Sequence, residues 1–148
     1  MQTGGVMRYI SVYLLLVVPA LLFAKEESIT MDDVYKLSPY IYDVKGMGNW
    51  QVGSRSGQIR LVITRTNKQD EMFLQWVQWN EKGPELIKST VALKEIQKAG
   101  RFKVDYIRRE TISGRRQIVL GLENLYDKSA SRAIIHVQGI GLYQLKME

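Results

Sequence analysis

The run Glu71-Met72-Phe73-Leu74-Gln75-Trp76-Val77-Gln78-Trp79-Asn80 decides how the rest of the chain is read. Side chains along a strand alternate between two faces. Met72, Leu74, Trp76 and Gln78 then share one face, and Phe73, Gln75, Val77 and Trp79 share the other. Both faces are largely apolar. Turn-formers bracket the run, Thr66-Asn67-Lys68-Gln69-Asp70 before it and Asn80-Glu81-Lys82-Gly83-Pro84 after it. A strand apolar on both faces lies between two layers or keeps one face for a partner. Each aromatic that is buried removes roughly 150–250 Å² from water. Phe73, Trp76 and Trp79 are therefore either core or, for Phe73 and Trp79, an exposed docking surface.

Working outward, short alternating segments recur on both sides. Gln58 to Thr66 sets Ile59, Leu61 and Ile63 against Arg60, Val62 and Thr64. Glu85 to Leu93, Arg101 to Arg109, Gln117 to Leu122, Arg132 to Val137 and Leu142 to Met147 alternate in the same way. Turns are expected at Ser54-Arg55-Ser56-Gly57, Ser113-Gly114 and Gly139-Ile140-Gly141. The β region is read as starting at Asn49. Gly46-Met47-Gly48 reads as a turn or bulge, because no helix follows it as a phosphate-binding loop requires. Leu93 to Lys98 fits one helical turn or a strand end, closed by Gly100. About eight short strands result. The expected fold is all-β, an antiparallel β-sandwich or small β-barrel, with a short N-terminal helix.

That helix is placed after Thr30, whose side chain suits an N-cap, with Asp32 and Asp33 opposing the positive helix end. It should stop near Leu37, ahead of Ser38-Pro39. Tyr35, Tyr40 and Tyr42 are read as cover for a sheet edge. Upstream, Met1 to Arg8 followed by the apolar Tyr9 to Phe23 resembles a secretory leader. Its apolar part, about 15 residues, is shorter than the ~20 that cross a bilayer. Cleavage is expected after Ala24. The domain reading is a signal peptide at 1–24, an entry segment at 25–45 and a single β domain at 46–148.

Charge and composition narrow the function. Lys and Arg number 21 against 15 Asp and Glu, a net charge of +6, and the leader removes only Arg8 from this excess. That balance permits an anionic partner without requiring one. Cysteine is absent, which excludes disulfides, thiolate metal sites, a cysteine nucleophile and a lipidated cysteine. An exported domain without cysteine fits a bacterial periplasm or a secreted bacterial protein.

Catalytic patterns are sparse. His136 is the single histidine and reads as a half-buried strand residue, with no Gly-x-Ser-x-Gly elbow or His-Glu-x-x-His helix elsewhere. The carboxylates fall at strand ends and turns, so no pair is fixed for glycoside hydrolysis. Glu123, Asn124 and Asp127 match no calcium-loop spacing. Arg108, Arg109, Arg115 and Arg116 flank the Thr111-Ile112-Ser113-Gly114 turn and are expected to meet at one end of the sheet, where they suit a phosphate, a carboxylate-rich partner or an anionic surface or glycan.

The reading is therefore an exported, non-catalytic binding protein of the bacterial envelope. It would contact an envelope or secreted protein through Phe73, Trp79, Arg108, Arg109, Arg115 and Arg116. No cofactor, metal or nucleic-acid partner is expected, and a small ligand is not favoured. The alternatives are a cell-wall glycan-directed enzyme or enzyme inhibitor, and a β-barrel carrier of a lipid or small apolar ligand.

Overall fold

The computed structural model describes residues 31–82 and 85–148. The leader at 1–24, its cleavage site and Thr30 lie outside these residues. Of the expected N-terminal helix, the described part is a five-residue turn, α1 (Met31–Tyr35). Sheet A follows with β1 (Ile41–Val52), β2 (Arg55–Arg65), β3 (Asp70–Gln78) and β4 (Leu86–Ala92). A short helix, α2 (Lys94–Ala99), leads to sheet B, with β5 (Phe102–Ile112), β6 (Arg115–Asn124), β7 (Ala130–Gly139) and β8 (Leu142–Met147). Each sheet is an antiparallel meander in chain order. Among the described residues no strand pairing joins one sheet to the other, so the fold is sandwich-like and not a closed barrel.

Alternation explains the core. In sheet A, Ile59 pairs with Trp76, Leu61 with Leu74 and Ile63 with Met72, and all six are buried. Sheet B answers with Ile118 opposite Ile135 and Leu120 opposite Ala133. Full burial of each larger aliphatic contributes about 1.5–3 kcal/mol, so these facing rows hold the two sheets together. The stretch that is apolar on both sides divides as a sandwich strand must. Met72, Leu74 and Trp76 point into the core, whereas Phe73 is half-buried and Trp79 is 44% exposed just past the strand end.

Two local readings change. β1 begins at Ile41, eight residues before the predicted start. The register slips between Gly46 and Asn49, where Gly48 adopts φ +92°, and that bulge hides the strand's period from the sequence. The first hairpin turns at Gly53-Ser54, because Val52 pairs with Arg55. Gly57 instead lies inside β2, where it makes room. A Cβ there would stand 1.8 Å from the Val77 carbonyl oxygen and 2.8 Å from the Trp50 Nε1. The Trp50 indole uses that space to donate a hydrogen bond to Val77 O at 3.1 Å.

The two ends of the sandwich differ. At one end α2 caps the core with Leu93 and Ile96, both buried. Beside it Asp70, the buried charged residue among those described, is held by Arg65 Nη2 at 2.8 Å and by the Val104 N–H at 2.8 Å. This contact ties sheet A to sheet B, and Tyr42 stacks on the Arg65 guanidinium 3.5 Å from its ring centre. Tyr143 of β8 donates to Glu95 Oε2 at 2.8 Å and so fastens α2 from the other sheet. Among the described residues, the opposite end, where the hairpin turns gather, has no such cap.

Candidate binding cleft

At the uncapped end the sheets part into a cleft of about 740 Å³. The β1–β2, β5–β6 and β7–β8 hairpins place it, since each brings a turn to this end. Trp50, Ile59 and Trp76 line it from sheet A, and Val137 and Ile140 from sheet B. The polar lining includes Arg115, Arg116 and His136 with the amides of Gln51, Gln138 and Gln144. None of the described lining residues is Asp or Glu.

Arg116 spans from sheet B to sheet A. Its Nη2 donates to the Asn49 carbonyl at 2.6 Å, just past the Gly48 bulge. Arg109 lies next to it. A Cβ built on Gly48 would meet Arg109 Nη1 at 3.0 Å and Arg116 Cζ at 3.4 Å, so both guanidinium groups rest against the same bulge. Burial first, and then the charge of Arg109, push the Arg116 pKa below the usual arginine value. Neither cation has a carboxylate within ion-pair distance among the described residues. Two like charges side by side, one of them desolvated, form a place where an anion is favoured.

Of the four hairpin arginines, Arg109, Arg115 and Arg116 gather at this end and Arg108 turns away. Arg108 and Arg109 are consecutive in β5 and split between opposite faces, whereas Arg115, at the turn end of β6, reaches the cleft together with Arg116. Arg109 and Arg116 project to the core side, in phase with the buried Ile118. Arg108 points outward and pairs with Glu110 at 3.0 Å, which raises its pKa. Arg115 pairs with Ile112 across the turn and lines the cleft mouth. The turn itself has φ 49° at Ser113 and 73° at Gly114, the mirror-image geometry that suits a two-residue hairpin.

Phe73 on β3 and Trp79, one residue past its end, do not share a patch. Six residues of strand separate them by roughly 20 Å, with Gln75 and the buried Val77 between. Phe73 belongs to the cross-strand row Val44–Val62–Phe73–Ala92 on the outside of sheet A. Trp79 instead borders a second hollow of about 490 Å³ beside Ser54, Arg55 and Lys82.

Other candidate groups are accounted for locally. His136 is half-buried in β7, paired with Gln117 and Gln144. Asp127 accepts from the Ser129 hydroxyl at 2.6 Å and from its N–H at 2.9 Å, while Glu123 faces Lys128 at 3.5 Å. No cluster of three or more His, Asp or Glu suited to a metal occurs among the described residues.

The sequence reading missed Trp50 and Trp76 as cleft walls and the Gly48 bulge as the rest for two cations. Trp50 was legible only as the start of a strand. Its role depends on Gly57, far away in sequence and apparently a turn glycine. Comparison with protein-family models, with curated proteins and with solved structures finds no match.

Proposed function

We propose that this is an exported, non-catalytic binding protein of the bacterial envelope, periplasmic or secreted, and that it engages an anionic partner at the uncapped end of the sandwich. The observation that carries the reading is the pairing of Arg109 with Arg116 over Gly48, without a counter-charge among the described residues, beside a cleft whose described lining lacks carboxylates. Such a site recognises negative charge and offers no acid–base pair for glycosidic bond cleavage. The leader-like N-terminus and the cysteine-free composition support export. A docking role for Phe73 with Trp79 is weaker support, since a hot spot is contiguous and these two are not.

The test is retention of envelope material on immobilised protein. Wild type should retain anionic components, less so as ionic strength rises, because exposed charge contacts are screened over about 10 Å at 0.1 M salt. The double variant Arg109→Ala/Arg116→Ala should lose them. Equal retention by the two proteins would reject this reading.

A further inference from the structure

We infer that the hollow beside Trp79 is a saccharide subsite, in which a pyranose ring stacks on the indole and its hydroxyls bond to the polar rim. The site is separate from the Arg109 and Arg116 pair and does not rest on the proposed function. Three observations meet there. Trp79 is 44% exposed, so its ring is open to a ligand, unlike Trp50 and Trp76 in the core. The hollow of about 490 Å³ falls within the roughly 300–1,000 Å³ that small-molecule sites occupy. Gln78 Oε1, in the same lining, is buried without a hydrogen-bond partner, the one such side-chain atom among the described residues. Native chains keep few unmatched buried acceptors, and each calls for an explanation.

Two neighbouring segments build the hollow. The Trp79 N–H donates to Ser56 O at 3.0 Å, which carries the β2–β3 pairing one step past β3 and sets Trp79 beside the β1–β2 turn. Ser54, Arg55 and Ser56 come from that turn and the start of β2, and Asn80, Glu81 and Lys82 from the segment after β3. The described rim is therefore hydroxyl, amide and charge around one flat apolar ring. A pyranose has the matching form, a C–H face edged by hydroxyls that both donate and accept. A purely apolar ligand would cover the indole and strip water from the rim without replacing its hydrogen bonds. A small polar solute would leave the indole in water. The Gln78 amide turns about a soft terminal torsion, so a modest rotation presents its oxygen to a hydroxyl in the hollow. Arg55 and Lys82 outnumber Glu81, so an acidic sugar is admitted as readily as a neutral one.

The test uses the expressed full chain with maltotriose, triacetylchitotriose and digalacturonate, and with cyclohexanol and glycerol as controls. At least one saccharide should protect the exposed indole from acrylamide quenching in a saturable way, and neither control should do so at the same concentration. Preference among the three identifies the sugar as neutral, N-acetylated or acidic. Saturation-transfer NMR reads the same binding without the indole. By that readout Trp79→Ala should weaken the preferred saccharide about tenfold or more. Gln78→Leu should weaken it about tenfold and leave the thermal midpoint unchanged or raised, because it removes an unmatched buried acceptor. A merely structural role for Gln78 would not separate binding from stability in this way.

No protection by any of the three saccharides, or equal protection by cyclohexanol, would overturn the inference. Full binding by Trp79→Ala with an unaltered thermal transition would do the same, since the sugar would then sit elsewhere. None of these outcomes bears on the anion reading, which is judged on Arg109 and Arg116.

Discussion

At the scale of single residues, Asp70 and Gly57 matter more than their chemistry in isolation implies. Asp70 is buried, accepts from the Arg65 Nε at 2.9 Å and Nη2 at 2.8 Å, and accepts from the Val104 N–H of the other sheet. Its removal orphans a buried backbone donor and leaves Arg65 without its principal counter-ion. Asp70→Ala should therefore cost about 2–4 kcal/mol, read as a lower denaturant midpoint at unchanged slope. Gly57→Ala acts through space. Its Cβ would overlap the Val77 carbonyl, a backbone atom that cannot swing aside. The expected loss is about 3 kcal/mol or more, with the Trp50 indole displaced from its bond to Val77. Near-UV circular dichroism of the folded fraction checks the second part, since a native-like indole signal would contradict it. A conservative Asp flanked by turn residues and a Gly between Ser and Gln both look like ordinary loop chemistry in the sequence. Their roles belong to partners in other strands, 34 residues away for Asp70 and Val104.

Among the elements, the strands with one buried face were legible and the irregular ones were not. Gln58 to Thr66 alternates cleanly and forms most of β2, and Leu142–Met147 is found with the bounds read from its pattern. β1 was shortened in the reading because Gly48 inserts a bulge and resets the phase. The candidate site was legible in its residue types only. Four arginines around a turn were visible, but period-two alternation sends Arg108 away from Arg109, and the convergence that matters includes Gly48 from the other sheet. α2 was left between helix and strand end. Its place is fixed by tertiary contacts, namely the burial of Leu93 and Ile96 and the Tyr143 bond to Glu95. That bond gives the element a pH signature. Burial, together with the Glu95 carboxylate, pushes the Tyr143 hydroxyl up to about 12 from 10.0. The folded state therefore prefers the protonated phenol. Its stabilising contribution is complete below pH 10 and is lost as pH rises from there through about 12. Wild-type stability should fall across that window, and Tyr143→Phe should flatten this part of the fall while costing about 1 kcal/mol at neutral pH for the lost bond. Denaturant titrations at neutral and alkaline pH check it; parallel decline of both proteins would exclude Tyr143 as the source.

For the whole molecule, the question is whether two meanders joined by one short helix behave as one unit. Among the described residues, each sheet turns its inner face to the other sheet, and Leu93 and Ile96 at α2 complete the core between them. A four-stranded meander with its inner row of Ile59, Leu61, Leu74 and Trp76 in water would forfeit most of the apolar burial that offsets chain entropy. Polar ties add to the coupling at both ends, Asp70 to Val104 near α2 and Arg116 to Asn49 near the cleft. Unfolding should therefore be a single cooperative transition. The distribution of tryptophan makes this testable without any mutation. Trp50, Trp76 and Trp79 all lie in or directly beside sheet A, and sheet B contains none. Indole emission therefore reports sheet A and the cover that sheet B gives the core indoles, while far-UV circular dichroism sums both sheets. The two transitions should coincide in denaturant, as two-state behaviour requires. If the dichroism lags or leads the fluorescence, one sheet survives without the other. The hydrophobic rows between them are then not the principal source of stability, and the cleft that both sheets line could open by separation of the layers rather than by entry at its mouth.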